Sequence, residues 1–240
     1  MKPKDLYLPC SWEERHPCLL DALLYVPAYY ERHSEFSMPQ LNELFGNEND
    51  VNLEYCSGNG QWIIERAMEE PDQNWVAVEI RIDRAKKIWA KAHNRNLKNL
   101  FVVFGEALTF SRYYLQSECI SQIYVNFPDP WPKKKHAKHR LIQKPFIEEM
   151  ARVCRSDGKL TLVTDDATYR DQMVEEVLGS QTWDPSFEHP YYVSEWPEFG
   201  TSYFYKLWKD LGRKIYYLDF QKGIKDGNKR REAATAASGS

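Results

Sequence analysis

From Val51 onward the chain alternates short apolar runs with amphipathic stretches of helical length, and few folds accommodate that rhythm. A strand-length apolar run is buried on both faces of a sheet. The amphipathic stretch after it has to travel back before the next run begins, which makes βα units and a parallel sheet. Strands are predicted at 52–55, 75–78, 100–104, 122–125 and 160–163, and helices at 62–69, 81–95, 146–154 and 168–178. Gly158 and Gly179 read as the C-terminal stops of helices. A last run at 214–221 is aromatic and β-branched, and it reads as an antiparallel strand because little chain is left for a crossover.

Residues 1–49 mix aromatics, prolines and charges without a period and read as an N-terminal arm with one or two short helices. Residues 50–224 form the α/β domain, and 225–240, ending in small and polar residues, read as a disordered tail. A length of 240 residues suits one such domain. The five cysteines are odd in number and lack the close pairing of a zinc knuckle or a redox motif, so they read as reduced thiols. No run of about eighteen apolar residues occurs, and no membrane span or leader is expected; the expected compartment is the cytoplasm.

A net charge of −3 argues against nucleic acid only until its distribution is considered. Residues 133–140 carry +5 and hold no acid, which leaves −8 on the rest of the chain. Local fields of this kind guide a polyanion, whatever the average charge.

The first chemical motif is Glu54-Tyr55-Cys56-Ser57-Gly58-Asn59-Gly60, a strand running into a glycine turn before a helix. Glycines allow close backbone approach, and a helix N-terminus offers free N–H groups to a ligand. Taken alone, such a turn serves equally well as a plain strand-to-helix connection. Glu79 strengthens the ligand reading: it ends the next strand about 20 residues on, where Rossmann-like sites place an acid against a ribose diol. A full G-x-G-x-x-G is absent, which favours a mononucleoside such as S-adenosylmethionine over a dinucleotide. Glu106, in Gly105-Glu106-Ala107 after the third strand, stands near the expected adenine, though a loop carboxylate reads almost as well.

The most specific motif follows the fourth strand: Asn126-Phe127-Pro128-Asp129-Pro130-Trp131-Pro132, continued at once by the basic cluster. Three prolines stiffen the turn and present Asp129 at the carboxyl edge of the sheet, where α/β folds bind ligands. Asp165 and Asp166 end the fifth strand on the same edge, and Asp166 reads at least as well as a helix N-cap.

At these residues the chain resembles the tRNA (guanine-N7)-methyltransferase family, in its chlamydial branch, over about residues 54–220. The resemblance implies a Rossmann-like class I S-adenosylmethionine-dependent methyltransferase, with a mostly parallel seven-stranded sheet and helices on both faces. The implied reaction moves a methyl group to N7 of a guanosine in the variable loop of tRNA. Carried over by position, Glu54, Glu79, Glu106 and Asp129 contact the cofactor or close its pocket, and Asp129 is also the catalytic residue. Gly58 and Gly60 complete the cofactor set, and Lys133, Asp165 and Thr201 touch the substrate. Lys134, Lys135, Lys138 and Arg140 are the expected tRNA phosphate contacts. No metal is expected, and the chain acts as a monomer or homodimer.

Two features depart from the family. Its Thr-x-aromatic-Glu signature meets Thr201-Ser202-Tyr203-Phe204-Tyr205-Lys206 here, without the glutamate, and the N-terminal arm is not Arg-rich. Two other readings therefore stand beside this one. A methyltransferase acting on another nucleic-acid position, such as an exocyclic amine, favours an Asn/Asp-Pro-Pro-aromatic turn, a spacing that Phe127 and Asp129 interrupt. A non-catalytic or partner-dependent tRNA-binding protein would have no use for a cofactor pocket.

Overall fold

The computed structural model describes residues 1–200 and 210–223. Thr201, the rest of its signature and the C-terminal tail lie outside the described residues, as does the side chain of Lys134. The βα rhythm folds as β3 (Val51–Tyr55), α2 (Gln61–Glu69), β4 (Asn74–Glu79), α3 (Ile82–Asn94), β5 (Leu100–Phe104), α4 (Ala107–Tyr114), β6 (Ile120–Asn126), α5 (Lys144–Val153), β7 (Cys154–Thr164) and α6 (Ala167–Gly179). The short β8 (Trp183–Pro185) and the long β9 (Tyr216–Lys222) complete this unit. Strands β3 to β7 are parallel, while β9 runs antiparallel between β7 and β8.

Among the described residues the sheet has nine strands rather than the expected seven, in the order β1-β2-β5-β4-β3-β6-β7-β9-β8. Strands β3 to β9 supply seven, and the hairpin of β1 (Cys18–Leu20) and β2 (Leu23–Tyr25) adds two at the β5 edge. The segment read as a helical arm thus contributes strands as well as α1 (Leu41–Phe45) and two 3-10 turns, Pro3–Asp5 and His33–Glu35. Leu23, Leu24 and Tyr25 are all buried, and β2 pairs backbone groups that β5 would otherwise present at an open edge. Strands of three residues are too short to show a period.

Strand alternation divides the core between the two faces of the sheet. Leu53, Tyr55, Val76 and Val78 pack with Phe110 of α4, Phe146 and Met150 of α5, and Tyr169 and Met173 of α6. On the other face Trp75 and Ala77 pack with Trp62 and Ile63 of α2 and Ile88 and Trp89 of α3. Helices therefore cover both faces, as expected.

The glycine stops are corrected. Gly158 lies inside β7, where a side chain would stand 2.6 Å from the Ser121 carbonyl of β6. Gly179 is the last residue of α6, and Ser180 is its C-cap. Helix α4 was not foreseen, because Thr109, Phe110, Tyr113 and Tyr114 are weak helix formers. None of the described helices is long and apolar enough to cross a membrane.

Candidate functional site

The parallel strands β3 to β7 end at one edge, which brings Tyr55, Glu79, Phe104, Asn126 and Thr164 into one row. A cavity of about 690 Å³ opens there. Its wall includes Glu79, Gly105, Glu106, Asp129 and Arg140, which the sequence had singled out, and also Arg81, Arg84, Phe127, Trp131 and Phe146.

Glu79 is 4% exposed and holds two backbone donors. Gly58 N–H reaches its Oε2 at 2.8 Å, and Arg81 N–H reaches Oε1 at 2.9 Å. The carboxylate therefore ties the glycine turn of β3 to the start of α3. Burial raises its pKa, opposed by these N–H groups and by Arg84. Gly58 and Gly60 take φ of 56° and 71°, the left-handed region that glycine tolerates best. A Cβ on Gly60 would also meet Ile88 Cγ1 at 2.6 Å, so this glycine lets α3 approach the turn.

Glu54, Gly58 and Gly60 are not on the cavity wall. Glu54 is 1% exposed and accepts a 2.7 Å bond from Asn126 Nδ2, while its other oxygen and Asn126 Oδ1 have no hydrogen-bond partner among the described residues. Burial pushes the Glu54 carboxyl up to about 7, with the Asn126 bond opposing and the charge of Glu79 adding to the rise. Asn126 stood inside the quoted motif without a role. Its signal was the strand end beside β3, where a polar side chain had to face a polar partner.

Glu106 caps α4, accepting from Leu108 N–H at 3.0 Å and from Thr109 N–H and Oγ1–H at 2.6 Å. Asp129 is exposed on the cavity wall, and its Oδ1 accepts the Trp131 N–H at 3.1 Å. Three non-glycine residues of this wall, Cys56, Phe127 and Trp131, have positive φ of 62°, 50° and 42°. Strain of this kind persists where surrounding structure over-determines it, and it gathers at ligand sites.

The basic cluster follows as a 3-10 turn, Lys134–His139, and Lys133, Lys135 and Lys138 are exposed. The Trp131 ring lies 5.8 Å from His136 and 5.3 Å from His139 between ring centres, so the turn rests on the motif loop. Arg140 stands apart from the lysines, buried and bonded within the fold. Asp165 pairs with Arg213 at 2.5 Å, and Asp166 caps α6 through a 2.7 Å bond from Tyr169 N–H. Among the described residues no group of three or more His, Cys, Asp or Glu side chains stands together as a metal site. All five cysteines are free thiols.

A family model described as "Putative methyltransferase" matches residues 48–218. The tRNA (guanine-N(7)-)-methyltransferase of Chlamydia caviae is 45% identical over 224 residues, 93% of this chain and 99% of that protein. The protein of the same name from Rubrobacter xylanophilus is 32% identical over 191 residues, 78% of this chain and 84% of its own. Among solved structures, the 16S rRNA methyltransferase KamB superposes with a TM-score of 0.57 at 16% identity, covering 76% of this chain and 92% of that one, a likeness of fold alone. Sequence identity along nearly the full length, on a methyltransferase fold with its motif residues gathered at one sheet edge, shows that the chain belongs to the tRNA (guanine-N(7)-)-methyltransferase family.

Proposed function

We propose that this chain transfers the methyl group of S-adenosylmethionine to N7 of a guanosine in the variable loop of tRNA, and that it does so in the cytoplasm. The observation that carries the reading is one continuous loop: it puts Asp129 on the cavity wall and, within a few residues, three exposed lysines on the adjoining turn.

The residues fit the cofactor. A cavity of about 690 Å³ is of ligand size, and its wall carries the carboxylates of Glu79, Glu106 and Asp129. Glu79 at the strand end would take the ribose diol, and the 105–107 turn would flank the adenine. When bound, S-adenosylmethionine supplies an electrophilic methyl group on a sulfonium.

Guanine N7 carries an in-plane lone pair, so no base has to remove a proton first. Alignment is then the main requirement, and well-oriented reactants recover about 7–11 kcal/mol of barrier. Trp131 and Phe127 on the wall offer faces for a splayed purine. Positive charge develops on that purine, and Asp129 stabilises it as an electrostatic and hydrogen-bonding partner. The exposed lysines hold phosphates and carry no base information, which leaves base identity to the pocket.

The test is incubation with labelled S-adenosylmethionine and unmodified tRNA, followed by borohydride reduction and aniline cleavage. Cleavage at one variable-loop guanosine is expected. Label incorporated without cleavage would indicate another position, and tRNA binding without label would indicate a non-catalytic or partner-dependent protein.

A further inference from the structure

Arg140 belongs by sequence to the basic cluster, yet its side chain is directed inward. The residue is 8% exposed, whereas Lys133, Lys135 and Lys138 of the same segment are exposed. Its Nε donates to the Pro130 carbonyl at 2.7 Å, and Nη1 donates to Gln172 Oε1 on α6 at 2.5 Å. The guanidinium lies over the Tyr169 ring, 4.9 Å from its centre. Both α6 residues are themselves fixed to the next part of the chain: Tyr169 OH accepts Ile142 N–H at 2.9 Å, and Gln172 Nε2 donates to the Ile142 carbonyl at 3.2 Å.

The motif loop needs such an anchor for a chemical reason. Pro128, Pro130 and Pro132 have no N–H, so over this stretch the backbone can be fastened mainly through its carbonyls. Pro130 is the residue directly after Asp129, and its carbonyl is the one that Arg140 takes. Among the described residues the Asp129 carboxylate adds the local bond from Trp131 N–H. A planar guanidinium can serve the carbonyl, the Gln172 amide and the tyrosine face together, which an ammonium cannot do.

We infer that Arg140 is a positioning residue that fastens the Asp129 turn to α6, and that it takes no part in gripping phosphate. The inference rests on the assignment of Asp129 to methyl transfer. It also means that the turn held by tRNA and the loop bearing Asp129 share one mechanical anchor.

The test uses the full-length protein and unmodified tRNA. Arg140→Lys keeps the charge and loses the fork; kcat is expected to fall about 10–100-fold with the tRNA KM unchanged. Arg140→Gln removes the charge, yet the salt dependence of tRNA binding is expected to match wild type, whereas Lys135→Ala lowers the log–log slope by nearly one unit. In an Asp129→Asn background, Arg140→Lys is expected to cost less than about 3-fold further, because its effect runs through the carboxylate. Should Arg140→Gln fail to fold, Gln172→Met, which removes one anchor point, is expected to lower kcat in the same direction.

A lower salt slope in Arg140→Gln with kcat retained would overturn the inference. So would equal losses from Arg140→Lys in the presence and absence of Asp129, or wild-type kcat in Gln172→Met. Full activity of Asp129→Asn itself would instead overturn the assignment of Asp129, so the two failures are distinguishable.

Discussion

Glu54 shows how far a single residue can couple this fold to pH. Its carboxyl is buried, accepting from Asn126 Nδ2, and burial raises its pKa to about 7 from an ordinary value of 4.5. A carboxyl raised by folding favours the folded state when protonated. Its contribution is full below the ordinary carboxylate range and is lost as pH rises through about 7. Without cofactor, stability is therefore expected to decline between about pH 4.5 and 8, by up to about 3 kcal/mol from this group. Glu54→Gln should flatten most of that decline in urea titrations run at several pH values, the remainder coming from Glu79, whose carboxyl is raised as well. Parallel curves for the two proteins would mean that Glu54 is not charged at a cost in the fold. Gly105 makes a second residue-scale test. A Cβ there would stand 2.5 Å from Val26 Cβ and 2.9 Å from its carbonyl, so Gly105→Ala is expected to lower stability by about 1–3 kcal/mol in the same titration.

At the scale of elements, the 3-10 turn Lys134–His139 and its flanks act as a charged handle on the motif loop. With Lys133, Lys135 and Lys138 exposed and Arg140 turned inward, log Kd for tRNA against log salt is expected to have a slope of about 3, near one unit per lysine. Filter binding at several salt concentrations measures it, and a flat response would remove the handle from RNA binding. The five parallel strands were legible in the sequence because each is a short apolar run buried on both faces, and four of the helices because each has an apolar stripe. The hairpin β1–β2 and strand β8 are three residues each, which is too short to carry a period. Of the site, Glu79, Glu106 and Asp129 were legible because each ends or follows a strand at the carboxyl edge. The inward direction of Arg140 was not legible, because composition cannot tell an inward cation from its exposed neighbours. The burial of Glu54 off the cavity wall was likewise set by packing that no local pattern records.

Over the whole molecule, the cavity draws its wall from segments between Cys56 and Phe146, so a ligand there links β3, β4, β5 and β6 with the motif loop and α5. S-adenosylmethionine at about 100 times its Kd is expected to stabilise the folded chain by about 2.7 kcal/mol, raising Tm by about 5–10 °C. A melt indifferent to the cofactor would mean that the folded chain does not bind it. The charge distribution, +5 on residues 133–140 against −8 on the rest, gives an approaching tRNA one preferred face, and that face adjoins the cavity. Whether chemistry happens at that junction is tested most directly by Asp129→Asn. The measurement is the single-turnover rate of methyl transfer to unmodified tRNA, taken beside the calorimetric affinity for S-adenosylmethionine. The expected result is a rate about 100-fold below wild type with cofactor affinity changed by less than about 3-fold. Equal rates in the two proteins would contradict a catalytic role for Asp129 and separate the motif loop from the reaction.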